Sequence, residues 1–388
     1  VSGTIVTRTP RDIFIVCNNI EELGGLQRWA HHTAGMLEAS GHAVHLIGVV
    51  HPESVHDYGR DLPYRTSVLH RVHPPSAWGP RTVRDRLDVV ARRREALRKA
   101  SVRQAADRLT ALFRAARPGA IVIVPQVWAM EWVAAADTSG LRVIGMSHES
   151  FEASANSSRA RRVRRWFADV DRLLLLTVED ADAWSRDGLN NVDVLPNPLP
   201  ITPETTSERT APLVVALGRL SFEKGYDLLL EAWVDVARRR PDWRLRLYGS
   251  GPEEARLRAR ASTLGLTDGV EFAGRTADVE GALREASVFA APSRAEGFPI
   301  SLMEAMAMGV PSVAFDCAPG VREIVAHERN GLLVPRGNTR EFTVALERLI
   351  TDRALRDRLG EQGLEDVTRF APEAVLERWE QIFGYVYR

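Results

Sequence analysis

Short β-branched runs alternate with apolar-periodic stretches along this chain, and the alternation runs twice. The first pass opens on "DIFIVCN" (12–18), turns through the polar loop "NIEELGGLQRW", continues into "WAHHTAGMLEASG" and resumes with "HAVHLIGVV". That order is strand, glycine loop, helix, glycine stop, strand: one βαβ unit. Further strands are expected at "AIVIVPQ" (120–126), "LRVIGMSH" (141–148) and "RLLLLTV" (172–178). "LPNPLPITPETTSERTAPL" (195–213) breaks the pattern with proline and threonine and reads as a linker. The second pass starts at "PLVVALG" (212–218) and runs through "WRLRLYGSG", "GVEFAG", "VFAAPS" and "VPSVAFD", with helical stretches between them. A last amphipathic helix, "PEAVLERWEQIFGYVYR", closes the chain. Two such passes predict an α/β protein of two Rossmann-like, doubly wound domains facing an interdomain cleft. The expected division is 1–197 and 198–371, with helix 372–388 packing back on the first domain. Ligands of such sheets bind beyond the carboxyl ends of the strands.

Composition supports this reading and excludes others. The 388 residues suffice for two sizeable cores. Formal net charge is zero, so bulk charge advertises no nucleic-acid partner. Two distant cysteines, Cys17 and Cys317, suit a reducing cytosol and rule out a metal site built of cysteines. The first residues, "VSGTIVTRTPRD", lack the apolar core of a signal peptide. No apolar run approaches the roughly 18 residues that cross a bilayer. A cytoplasmic protein is expected, touching the inner membrane face at most peripherally.

Two loops of the second half carry charge where a parallel sheet opens. In "LGRLSFEKGYDLL" (217–229), Gly218 turns the chain out of a strand, and Arg219 and Lys224 lie before the next helix. Two cations at a helix start in the mouth of a parallel sheet form a diphosphate site. Taken alone, the loop also reads as an exposed turn with solvated cations. In "EGFPISLMEAMAMG" (296–309), Gly297 and Pro299 form a loop, and Ser301 lies in the first helical turn. The first amides of a helix are unpaired, so those of Ile300, Ser301 and Leu302 are expected to face outward as an anion cradle. Glu304, one turn inward, could accept hydrogen bonds from a ribose diol, and Glu296 could meet hydroxyls of a second sugar. Acids that merely complement a helix dipole would look the same.

Together, Gly-Arg-Leu…Glu-Lys-Gly and Glu-Gly-Phe-Pro…Ser-Leu…Glu-Ala resemble the retaining nucleotide-sugar glycosyltransferases of family GT4, which have the GT-B fold. The step from Glu296 to Glu304 is similar to that family's E-x7-E motif. The resemblance implies that Arg219 and Lys224 hold the donor diphosphate, Glu304 the ribose and Glu296 the transferred sugar. It implies that Gly297, Phe298, Ser301 and Leu302 complete the donor cradle. "YGSGP" (248–252) and "AGR" (273–275) resemble loops near ribose and base, which brings in Gly249 and Arg275. In the first half, "ELGGLQRW" (22–29) resembles the family's Gly-Gly loop, so Gly24 and Gly25 are expected near the donor phosphate or the acceptor. His148, in "SHES" (147–150), stands where the family often has a histidine facing the transferred sugar, although Glu149 departs from the pattern. Asn197 falls where the family reads Asn-Gly, with Pro198 replacing the glycine.

The resemblance implies transfer of a hexose (glucose or N-acetylglucosamine type) from a UDP-linked donor to a hydroxyl acceptor. The nucleotide sugar is a co-substrate, and no metal or other cofactor is expected, because no D-x-D element stands in a suitable context. Natural products, phosphate polymers and lipid-linked glycans are all candidate acceptors. Residues 81–119 hold twelve Arg or Lys against four acids, and "RARRVRRWF" (159–167) is a second basic run. Both could dock an anionic membrane surface. Two other functions stay open: an enzyme of this fold with a different reaction, such as an epimerase or a non-sugar coupling enzyme, and a nucleotide-sugar sensor without turnover.

Overall fold

A computed structural model describes residues 9–22, 24–52, 55–59, 61–75 and 88–387. Residues 1–8 and the stretch 81–87 of the basic segment lie outside the described residues. The chain divides into two compact units, one of residues 1–195 and 376–388, the other of residues 196–375.

The first unit is built on a seven-stranded sheet: β1 (Asp12–Cys17), β2 (Ala43–Val50), β3 (Arg65–His70), β4 (Ile121–Val124), β5 (Arg142–Ser147), β6 (Arg172–Leu175) and β7 (Val192–Val194). Its order is β3-β2-β1-β4-β5-β6-β7, every pair parallel. Central strands covered on both faces should be apolar throughout, and Ile121–Val124 is fully buried. Phe14, Leu109, Phe113, Trp132, Phe167 and Trp184 belong to one of the clusters that cover the sheet. Residues 376–388 belong to this unit through specific bonds. Glu380 accepts from the His42 ring at 2.9 Å, Tyr387 donates to the Ala120 carbonyl at 2.8 Å, and Arg378 pairs with Asp193.

The second unit has a six-stranded sheet: β8 (Leu213–Leu217), β9 (Arg244–Tyr248), β10 (Val270–Gly274), β11 (Val288–Ala291), β12 (Ser312–Asp316) and β13 (Gly331–Pro335). Its order, β10-β9-β8-β11-β12-β13, is again parallel throughout. In each sheet the winding direction reverses once, between β1 and β4 in the first and between β8 and β11 in the second. At such a reversal the loops leaving two neighbouring strands diverge to opposite faces and open a crevice. Strands β3, β7 and β13 are additions to the sequence reading. β3 and β7 are the edges of the first sheet, β3 rich in polar residues and β7 only three residues long, and β13 is short and ends on Pro335.

Candidate active site

The crevice of the second unit is framed by the loop after β8, which carries Arg219 and Lys224, and the loop after β11, which carries Glu296. The Lys224 Nζ donates to Glu296 Oε1 at 2.6 Å, and the Ser293 hydroxyl donates to the same oxygen at 2.6 Å. Both charged side chains are mostly withdrawn from water, at 25% and 12% exposed. A pocket between the two loops is lined by Lys224, Tyr226, Ser293, Glu296, Ser301 and Cys317, among others. Burial raises the Tyr226 phenol well above its ordinary range, with the Glu296 charge adding to it. Burial likewise pushes the Cys317 thiol up to about 12, with a further push from Glu296. Both groups therefore stay protonated beside the ion pair at neutral pH.

The two loops are fastened to each other independently of Lys224 and Glu296. Arg294 makes a two-pronged contact with Asp227 at 2.7 and 2.8 Å and donates to the Phe222 carbonyl at 2.9 Å. Its guanidinium lies 4.3 Å from the Phe222 ring centroid, and its amide donates to the Glu223 carbonyl at 2.7 Å. Although burial opposes it, the Arg294 charge and hydrogen bonds hold the Asp227 carboxyl below its usual range. Gly225 makes the close approach possible. It has φ of +66°, and a Cβ there would sit 2.0 Å from the Pro292 carbonyl oxygen. Only glycine meets both demands at little cost.

Helix Ile300–Ala307 begins at the same pocket, with Pro299 as its N-cap and no side-chain cap. The amides of Ile300 and Ser301 make no hydrogen bond within the described residues. Leu302 differs from the expectation: its amide donates to the Pro299 carbonyl at 3.1 Å, a 3₁₀-type bond that tightens the first turn. The outward cradle is thus two amides, and the Leu302 side chain is buried at 0% exposure. Phe298 precedes this helix. Its ring packs edge-on against Phe370 at 5.4 Å, in the interior, and so shapes the loop. Gly297 lies between these residues and packs its carbonyl where a Cβ on Gly320 would stand, at 1.9 Å. Glu304 is buried, 3% exposed, on the same helix and is engaged within the fold.

Three further residues of the second unit stand at the same strand ends. Arg219 is exposed just beyond β8; its carbonyl accepts from the Ser221 amide at 2.9 Å, while its guanidinium makes no hydrogen bond or ion pair among the described residues and contributes to lowering the Glu223 carboxyl, mainly held down by Ser221. Gly249 follows β9 with φ of +144°; a Cβ would lie 1.8 Å from the Gly218 carbonyl oxygen. Its glycine identity therefore follows from packing against the Arg219 loop. Arg275 follows β10 and is exposed. Asn197 is buried, and its Oδ1 has no partner among the described residues.

In the first unit, Gly24 caps helix Gly25–Ala39 in an extended conformation. A Cβ on Gly24 would meet the Gln27 side chain at 2.4 Å, whereas one on Gly25 would meet nothing within 4 Å. His148 follows β5 and lies edge-on to Trp29 of that helix at 4.5 Å. Glu149, the departure noted in the sequence, pairs with Arg159. Among the described residues no three His, Cys, Asp or Glu side chains form a group that could hold a metal ion, and no helix is long and apolar enough to cross a membrane.

Residues 201–366 match the family model described as glycosyl transferases group 1. An uncharacterized glycosyltransferase of Haemophilus influenzae is 32% identical over 239 residues, 61% of this chain and 67% of that protein. An exopolysaccharide phosphotransferase of Streptomyces coelicolor is 33% identical over 255 residues, 64% of this chain but 27% of that longer protein. Among solved structures, TarM of S. aureus in complex with UDP and α-GlcNAc-glycerol superposes with a TM-score of 0.78 at 13% identity, over 96% of this chain and 99% of that one. HepE of Anabaena in complex with UDP-glucose gives 0.72 at 16% identity, over 96% of this chain and 99% of that one. The likeness is one of fold, GT-B, with two parallel-sheet Rossmann-like domains. By the relative that it matches over two thirds of its length, and with the group 1 domain in its second unit, this chain belongs to the glycosyltransferases.

Proposed function

We propose that the chain is a retaining transferase of the GT4 kind, moving a hexose from a nucleotide diphosphate sugar to a hydroxyl acceptor without a metal. The observation that carries this reading is the meeting of Lys224, Glu296 and the start of helix Ile300–Ala307 in one pocket at the β8/β11 reversal. Breaking the bond between an anomeric carbon and a diphosphate puts negative charge on the leaving group. Lys224, the free amides of Ile300 and Ser301, and the unpartnered Arg219 supply donors for that charge. Each such donor is worth about 3–4 kcal/mol when aimed at developing charge. Glu296 accepts from hydroxyls of the transferred sugar once Lys224 turns to phosphate. The departing phosphate takes the acceptor's proton on the face from which it leaves, so no separate base is required. Glu304 holds the ribose, and Arg275 and Gly249 lie toward the base. Gly24 and Gly25 are assigned to the donor phosphate or the acceptor, and His148 to the transferred sugar. UDP is the expected nucleotide, in keeping with the UDP and UDP-glucose complexes of the structural relatives.

A peripheral contact with anionic lipid is part of the proposal. Arg92, Arg93, Arg94, Lys99 and Arg103 on helix Val89–Arg114 are exposed and without ion-pair partners among the described residues, beside the exposed Val89, Val90 and Leu97. Arg98, by contrast, is buried and pairs with Glu131. The deciding experiment combines a nucleotide-sugar panel with NMR of the product in the presence of EDTA. A product with the donor's anomeric configuration supports the reading; inversion, or loss of turnover in EDTA, refutes it. Turnover without sugar transfer would favour the epimerase alternative, and binding without turnover the sensor.

A further inference from the structure

A second pocket, of about 260 Å³, lies in the first unit between the carboxyl end of β3 and helix Val89–Arg114. It is lined by His70, Arg71, Ser101, Gln104 and Arg108, with no acidic side chain. The hydrogen bonds behind it have a fixed direction. Trp132 is fully buried, and its indole Nε1–H donates to His70 Nε2 at 2.7 Å. An indole can only donate, so His70 Nε2 must be bare and the ring's proton must sit on Nδ1. His70 Nδ1 is 3.2 Å from the Ser101 hydroxyl and therefore donates to it. Ser101 has spent a lone pair on His70, so its own proton is aimed elsewhere, and no acceptor for it occurs among the described residues. Burial, then the Arg108 charge, lower the His70 pKa, which keeps this one-way chain intact at neutral pH.

The rest of the lining also donates. Arg108 is held by one nitrogen on the Leu69 carbonyl at 2.6 Å, which leaves the remaining guanidinium donors uncommitted. Arg71 and Gln104 are exposed and have no partner among the described residues. A hydroxyl proton and two guanidinium groups around one pocket, with no carboxylate, suit a doubly charged oxyanion better than a neutral sugar.

We propose that this pocket binds a phosphomonoester through Ser101, Arg71 and Arg108, with Trp132 and His70 setting the direction of the Ser101 hydroxyl. Two sources share that chemistry, a soluble phosphate ester and the headgroup of a lipid. Placing the phosphate on the acceptor rests on the transferase reading; phosphate binding itself does not.

The test uses the full chain labelled with ¹⁵N and titrated with inorganic phosphate. The Trp132 indole N–H resonance, identified by its loss in Trp132→Phe, reports on this pocket and not on the nucleotide site. A saturable shift is expected, and Ser101→Ala and Arg71→Gln should each weaken it at least about fivefold with an unchanged melting temperature. Competition by glycerol phosphate identifies a soluble ester, and competition by vesicles containing phosphatidic acid identifies a lipid. No saturable shift, wild-type affinity in both variants, or failure of both esters to compete would overturn the proposal, whatever the fate of the transferase assay.

Discussion

Gly225→Ala is the sharpest test of how the two loops of the candidate site are held. The added Cβ would stand 2.0 Å from the Pro292 carbonyl oxygen, whereas the tightest real contacts are near 3.0 Å and ordinary contact begins at 3.4 Å, so the loops must part by about 1.0–1.4 Å. The Lys224–Glu296 bond, now 2.6 Å, would then stretch to about 3.6–4.0 Å, beyond hydrogen-bonding range. A shift of ~1 Å at reacting groups costs on the order of 100-fold in rate. Left-handed backbone adds about 1–2 kcal/mol of destabilisation for any non-glycine residue. Gly265→Ala separates the two effects. Its φ is +71°, but a Cβ there would meet nothing within 4 Å. Both variants should lose a few degrees of melting temperature, but only Gly225→Ala should lose activity. Arg294→Gln loosens the same junction without a backbone clash and should fall between them. The readout is release of nucleoside diphosphate from the active donor, beside thermal unfolding. If Gly225→Ala turns over within about threefold of Gly265→Ala, loop spacing does not control the chemistry and the reasoning fails.

Other perturbations give distinct outcomes. Lys224→Ala should lower kcat roughly 100- to 1,000-fold, the loss typical of one donor to a developing charge, with a much smaller change in KM; a loss confined to KM would refute its role in the transition state. Ser293→Ala removes one of two bonds to Glu296 Oε1 and should cost about 1 kcal/mol of site stability, read as weaker sugar discrimination at unchanged nucleotide affinity. Asp227, held below its usual range once Arg294 outweighs burial, adds stability that is fully present above the unfolded carboxyl's pKa near 3.8 and is lost as pH falls through the lower folded value. Asp227→Asn should therefore lower the melting temperature at pH 6 by more than at pH 3. Binding to anionic vesicles should weaken as salt rises, because exposed charges about a Debye length apart are screened; salt-independent binding would discard the surface-docking expectation.

Much of this architecture could be read from sequence because buried parallel strands are continuous apolar runs. "IVIV" at 121–124 and "LVVAL" at 213–217 carry that pattern without ambiguity. β3, "RTSVLH", escapes it because an edge strand alternates polar and apolar residues weakly and needs no sustained run. Lys224 and Glu296 could be singled out because each follows a strand and precedes a helix. Their direct bond was not, since 72 residues separate them and only strand order brings them together. The Arg294–Asp227 fastening was invisible for the same reason, and "SRAEG" reads as ordinary loop. The Leu302 amide was misread because the rule for helix ends leaves four donors free, while a 3₁₀-type bond to the residue before the helix takes one back.

The bond between Lys224 and Glu296 has a consequence for what the resting pocket will admit. Each of these two charges is already answered by the other, so the Lys224 ammonium is not a bare monopole for the crowd of small anions in solution. A simple phosphate that captures the ammonium strips the carboxylate of its counterpart and must repay that loss alone. A visitor bearing both an anion and hydroxyls can satisfy the two former partners at once. Selectivity of this sort comes from a debt left behind in the protein as much as from any contact made with the guest.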